Sequence, residues 1–210
     1  MSNDAASVLI EGPWEHRLVA ANGARFHVAL QGEGPLVLLL HGFPQFWYTW
    51  HAQLSALAEA GYQAAAVDLR GYGASDKPPK GYDTYTSTAD TAALVHSLGE
   101  EQAVIVGQGL GGWIAWCMPA LQPDTTRAIG ALSMPHPVVM RHASLFNRAQ
   151  RRASAYLLGL QWPLVAERRI PRGEDEVRRL MTAWAGREGE FPSAQDVRRY
   201  AGAMALPFVA

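Results

Sequence analysis

Apolar and polar positions along the chain change their spacing in a regular way, and the changes mark out elements. Glu15 to Ala20 and Arg25 to Leu30 are short segments of alternating character separated by Ala21-Asn22-Gly23, the pattern of a hairpin. Leu36 to Leu40 is a continuous apolar run, as expected of a strand buried on both faces. Phe46 to Ala60 has helical spacing and is stopped by Gly61. Gln63 to Asp68 reads as a second buried strand, Thr84 to Leu98 as a helix, Ala103 to Val106 as a third strand, and Ala128 to Leu132 as a fourth. Strands alternating with helices in this way predict an α/β fold, with a mostly parallel sheet flanked by helices.

Beyond His136 no strand-like run remains. Val138 to Leu158, Glu174 to Ala185 and Asp196 to Met204 have helical spacing, in a region broken by Pro163, Pro171, Pro192 and Pro207. This predicts an α/β core over residues 1–135 and an α-helical lid over residues 136–210. Charge follows the same boundary. The core carries six Lys/Arg against twelve Asp/Glu, a net of −6, and the lid twelve Arg against seven acids, a net of +5. The whole chain of 210 residues is close to neutral, at −1, which argues against a nucleic-acid or membrane-surface binder. Cys117 is the single cysteine, so an intramolecular disulfide and a multi-cysteine zinc site are both excluded. The polar start, Met1 to Ser7, lacks the pattern of a secretory signal, and a cytoplasmic location is the expectation.

Two segments follow buried strands at the end where parallel sheets bind ligands. His41-Gly42-Phe43-Pro44 follows Leu40, and the Phe43 amide there could stabilise an oxyanion. Gly107-Gln108-Gly109-Leu110-Gly111-Gly112 joins a strand to a helix with the spacing of a nucleophile elbow. It also fits Gly-x-Gly-x-x-Gly, the dinucleotide pattern. Three strands precede it, however, and Asp124 stands before the next strand instead of closing it, so no dinucleotide cofactor is expected. Gly109 occupies the position that presents a nucleophile, and it has no side chain. Asp68, in Asp68-Leu69-Arg70-Gly71-Tyr72-Gly73, could serve as a catalytic acid at a strand end, but the expectation is that it accepts hydrogen bonds from the amides of its own turn.

These segments, followed by Ala74-Ser75-Asp76-Lys77-Pro78 and Met134-Pro135-His136-Pro137, stand in an order and spacing similar to the α/β-hydrolase fold. The likeness is to its epoxide-hydrolase and haloalkane-dehalogenase-like branch, and it extends over essentially the whole chain. The resemblance implies a mechanism in which an elbow aspartate opens an epoxide and a His–acid pair hydrolyses the resulting ester. It assigns the oxyanion amides to Phe43 and Leu110, makes His41, near that site, similar to a structural turn histidine, and makes Tyr156 similar to a lid tyrosine that holds the epoxide oxygen; His41, Pro44 and Trp47 are the further candidates for substrate binding. Tyr200 stands near the place of a second one without a firm match. It implies no cofactor and no metal.

The chain departs from that pattern in two ways. Gln108-Gly109-Leu110 replaces the family's His-Asp-Trp, and the final strands that bring the relay acid and the catalytic histidine have no counterpart. Nor does an alternative acid follow the fourth strand, since residues 125–166 contain no Asp or Glu. His136 and His142 have no neighbouring acid, and Cys117 lies two turns down the helix after Gly109. Losing a nucleophile or base costs about 10⁴ to 10⁶ in rate, so the chain is expected to be inactive by the covalent route. The expectation is a protein that binds a small apolar molecule or a partner, with Trp47, Tyr48, Trp50, Trp113 and Trp116 as candidate pocket rings. Two alternatives stand beside it, a hydrolase or lyase using non-covalent oxyanion chemistry and an interaction protein using its basic lid. A strand near Ala128–Leu132 with no further neighbour would leave an exposed sheet edge, expected to be covered by a second copy or a complementing chain. A simpler expectation, and the favoured one, is that the chain is a fragment of a longer hydrolase.

Overall fold

The computed structural model describes residues 5–160, 173–185 and 191–206. Six strands form one sheet in the order β1-β2-β4-β3-β5-β6: β1 Glu15–Ala21, β2 Ala24–Gln31, β3 Leu36–Leu40, β4 Gln63–Val67, β5 Ala103–Gln108 and β6 Thr126–Leu132. The hairpin β1–β2 and the pair β2–β4 are antiparallel, and β4, β3, β5 and β6 run parallel. The hairpin closes through Asn22 and Gly23, both at positive φ (42° and 74°), the backbone that matches the twist of two paired strands.

All five residues of β3 are buried, because β3 lies between β4 and β5 and is covered on both faces. Alternation along the strand then sorts the core into two layers. Leu38 and Leu40 face Phe26, Leu94, Ile105 and Ile114, beneath α2 (Thr84–Ser97) and α3 (Leu110–Leu121). Val37 and Leu39 face Trp47, Leu54 and Ala66, beneath α1 (His51–Glu59). The single helix expected over Phe46–Ala60 is a 3₁₀ turn, Trp47–Trp50, running into α1.

The sequence also predicts one helix over Val138–Leu158, where the structure has two, α4 Pro137–Phe146 and α5 Arg148–Leu160. Asn147 divides them, its side-chain oxygen accepting from the Ala149 and Gln150 amides at 2.9 and 3.2 Å, a cap that a continuous helix could not use. Two further helices follow, α6 Glu174–Trp184 and α7 Ala194–Met204, the second opened by a reciprocal Ser193–Asp196 capping box. Val177, Met181, Tyr200 and Ala203 join the layer that holds Trp47, so these two helices share the core with the sheet. Val138, Val139, Leu145 and Phe146 on α4 are exposed, as are Arg148, Arg151 and Arg152 on α5. No described helix is long and apolar enough to cross a membrane.

Candidate functional site

The carboxyl ends of β3, β4 and β5 bring the sequence-predicted residues together. β5 ends at Gln108, and Gly109 turns the chain at φ 56°, ψ −116° into α3. This is left-handed backbone that side-chain-bearing residues occupy only at a cost. Three hydrogen bonds fix the turn: Gly109 N–H to the Leu132 carbonyl at 3.2 Å, Gly111 N–H to the His41 carbonyl at 3.0 Å, and Trp113 N–H to the Gly109 carbonyl at 2.9 Å. Gly107 and Gly111 allow the close approach, since a Cβ on either would collide with backbone, of Gly111 and of Leu40 respectively. Gly109 differs. A Cβ built there meets only the Gly42 Cα, at an ordinary 3.5 Å, so the space in front of the elbow is open.

Facing the elbow, His41-Gly42-Phe43-Pro44 turns sharply with a cis Phe43–Pro44 peptide and a Gln45 N–H to Gly42 carbonyl bond of 3.0 Å. The backbone N–H groups of Phe43 and Leu110 donate to no group among the described residues. Two free amides on facing turns are the arrangement that holds a carbonyl oxygen or an oxyanion. Leu110 (41% exposed) and Leu132 (46%) add an apolar rim. The side-chain oxygens of Gln45 and Gln108 are buried and have no hydrogen-bond partner among the described residues.

The other expected residues sit differently. His41 is fully buried; its Nδ1 donates to the Gly42 carbonyl at 2.8 Å and its Nε2 accepts from the Leu69 N–H at 3.1 Å. Burial pushes the ring below the ordinary 6.5, so it stays neutral and braces the turn. Trp47 is fully buried and donates its indole N–H to the Val8 carbonyl at 2.9 Å, which places it in the core instead of beside a substrate. Tyr156 lies on α5, with its side chain outside the described residues. Tyr200 packs edge-on against Phe46 with ring centres 5.6 Å apart, and burial pushes its phenol up to about 12. The five aromatic residues grouped by sequence do not form one wall. Trp47, Tyr48 and Trp50 belong to the α1 layer, whereas Trp113 bonds Thr84 on α2 and Trp116 bonds the Met134 carbonyl.

A buried polar network behind the His41 turn was only half legible in the sequence. Asp68 does bind its own turn, through the Ala74 amide at 3.0 Å, but it also accepts from the Trp47 amide at 2.9 Å and contacts His27 Nδ1 at 2.8 Å. His27 continues to His16 at 2.8 Å, and His16 to the Ile10 carbonyl at 2.9 Å. These contacts link the Asp68 carboxylate through two imidazole rings to the Ile10 carbonyl, and burial pushes His16 below the ordinary 6.5. Burial would push that carboxyl up, but the His27 bond, the His27 and His41 rings and the Trp47 amide together hold it below 3.8. A histidine in the middle of β2, among buried apolar residues, was the available signal for this network. Among the described residues no three His, Cys, Asp or Glu side chains converge to hold a metal ion.

Comparison with known proteins agrees with this geometry. The profile of the α/β hydrolase fold family matches residues 35–187. The AB hydrolase superfamily protein YfhM of Bacillus subtilis is 35% identical over 196 residues, which cover 91% of this chain and 68% of that protein. Epoxide hydrolase A of Mycobacterium tuberculosis is 45% identical over 123 residues, covering 57% of this chain and 38% of the relative. Among solved structures, the epoxide hydrolase VrEH1 from Vigna radiata superposes with a TM-score of 0.75 at 32% identity, over 92% of this chain and 68% of its own. An epoxide hydrolase from an endophytic Streptomyces gives 0.77 at 33%, over 93% and 71%. The match thus spans about two-fifths of the length of the mycobacterial enzyme and about two-thirds of the solved ones.

Proposed function

The chain belongs to the α/β hydrolase family, in its epoxide-hydrolase-like branch, and from that premise we propose that it binds a small, largely apolar, oxygen-bearing molecule at the elbow without attacking it covalently. One observation carries the reading. Gly109 keeps the elbow backbone while leaving open space where a nucleophile would stand, and the facing amides of Phe43 and Leu110 remain free. Amides in that position polarise or hold an oxygen atom, and the rim of Leu110 and Leu132 favours an apolar body on the ligand.

His41 offers no substitute chemistry, because both ring nitrogens are engaged in bracing the turn. Binding and oxyanion amides alone leave roughly 10³ over the uncatalysed reaction, against the 10⁴ to 10⁶ forfeited with a missing nucleophile or base. Incubation with styrene oxide tests the reading. The expected result is saturable binding, recovery of unchanged epoxide, and no mass adduct on the chain. Sustained diol formation, or an adduct mapped to residues 107–112, would overturn it.

A further inference from the structure

A cavity of about 200 Å³, with Leu110 among its lining residues, lies between the sheet, α2 and α3. Its walls are mostly apolar, with Phe26, Leu94 and Ile114 also contributing. Tyr72 also lines it. This residue is only 7% exposed, and its ring packs edge-on against His41 with centres 5.0 Å apart. Its hydroxyl makes no hydrogen bond to any described residue. Burial pushes the phenol up to about 12, so the hydroxyl keeps its proton and is a donor without an acceptor. The hydroxyl oxygen is open to the cavity, where an acceptor on a ligand can reach it.

The one ion pair on the wall is already closed. Arg70 grips Asp90 through two bonds of 2.7 and 2.6 Å, Asn22 donates to the same carboxylate at 2.7 Å, and the guanidinium lies over the Phe26 ring. With those charges cancelled, the cavity offers a charged ligand no counter-ion. The Tyr72 hydroxyl is a donor on this wall that no described residue engages. Entry is from the side of Tyr82, 45% exposed, and the half-buried Ser87.

We propose that this cavity is a second binding site, separate from the elbow, for a small uncharged molecule whose apolar body fills the space and whose single acceptor oxygen takes the Tyr72 hydroxyl. An apolar cavity of about 150 Å³ accommodates benzene, so this one has room for a phenyl ring and a short acceptor-bearing substituent. Leu110 borders both sites, with its free amide at the elbow. The site goes beyond the elbow reading and does not depend on it.

Acetophenone and ethylbenzene, alike in shape but differing in the carbonyl oxygen, are the probes. NMR titration of the methyl-labelled chain is expected to show saturable acetophenone binding, with cross-relaxation between its ring protons and the methyls of Leu94 and Ile114. Tyr72→Phe should weaken acetophenone roughly threefold to tenfold, as loss of one neutral hydrogen bond does, and leave ethylbenzene unchanged. Ser87→Trp, at the solvent-facing mouth, should block both probes while leaving the fold intact by circular dichroism. Absence of saturable binding to the unmodified chain would overturn the proposal. So would cross-relaxation to other methyls, or equal acetophenone affinity in the Tyr72→Phe chain.

Discussion

Returning an aspartate to position 109 separates the two properties that the elbow holds apart, its backbone and its missing side chain. A non-glycine residue at φ 56°, ψ −116° carries about 1–3 kcal/mol of backbone strain. No steric clash adds to it, since the new Cβ meets only the Gly42 Cα at 3.5 Å. For a chain of this size each kcal/mol lowers the melting temperature by about 2–4 °C, so Gly109→Asp and Gly109→Ala should both melt roughly 2–12 °C below the parent. Only the aspartate should react. Its carboxylate oxygen attacks an epoxide carbon, the ring C–O bond breaks, and the released alkoxide takes a proton from water, leaving a hydroxy-ester on residue 109. No described base stands ready to direct water onto that ester, so the adduct should accumulate to one equivalent and stop. Scanning calorimetry and intact-mass time courses with styrene oxide read both effects. Unchanged melting of the alanine variant would refute the strained elbow. A folded aspartate variant that never gains mass would refute the claim that this turn still presents a nucleophile, and steady turnover would refute the absence of a base.

Other consequences follow from the same structure. Asp68→Asn disturbs the buried contacts of that carboxylate with His27 and the Trp47 and Ala74 amides and should cost about 1–3 kcal/mol in denaturant unfolding; a change below about 0.5 kcal/mol would contradict the network. His41 and Asp68 both have folded pKa values depressed below their ordinary 6.5 and 3.8. Their stabilisation is therefore complete above those values and is lost as pH falls below 6.5 for His41 and below 3.8 for Asp68, so denaturation midpoints should drop in two stages on acidification. Asn147→Ala removes the cap on α5 and should cost about 1 kcal/mol, read as lost helical ellipticity. Among the described residues β6 pairs only with β5, and we propose that a second copy covers its free edge. Sedimentation of the 210-residue chain should then show self-association that rises with concentration, and a strictly monomeric profile would contradict it.

Sheet and elbow were readable in the sequence because local chemistry alone determines them. Leu36–Leu40 has no polar position to offer solvent, and Gly107, Gly109 and Gly111 permit a turn that other residues would block. The helices after residue 136 were placed to within a few residues, except at Asn147, where a side-chain cap interrupts a pattern that hydrophobic spacing reads as continuous. What stayed hidden depends on three-dimensional partners. Trp47 reads equally as a pocket ring or a core ring until Val8 is found accepting its N–H. Tyr72 lines a cavity only because residues of α2 and α3, which follow it in the chain, close the space around it. The predicted hairpin brings His16 and His27 near each other, but that their ring nitrogens meet and continue to Asp68 depends on β4, which the hairpin alone does not place.

The central claim is that the elbow keeps its oxygen-binding amides without its nucleophile. Titration of the ¹⁵N-labelled chain with styrene oxide tests it most directly, with the ligand assayed for diol in the same tube. The Phe43 and Leu110 amide resonances should shift and saturate while the epoxide stays intact. Amides that do not move, or diol that accumulates with time, would contradict it.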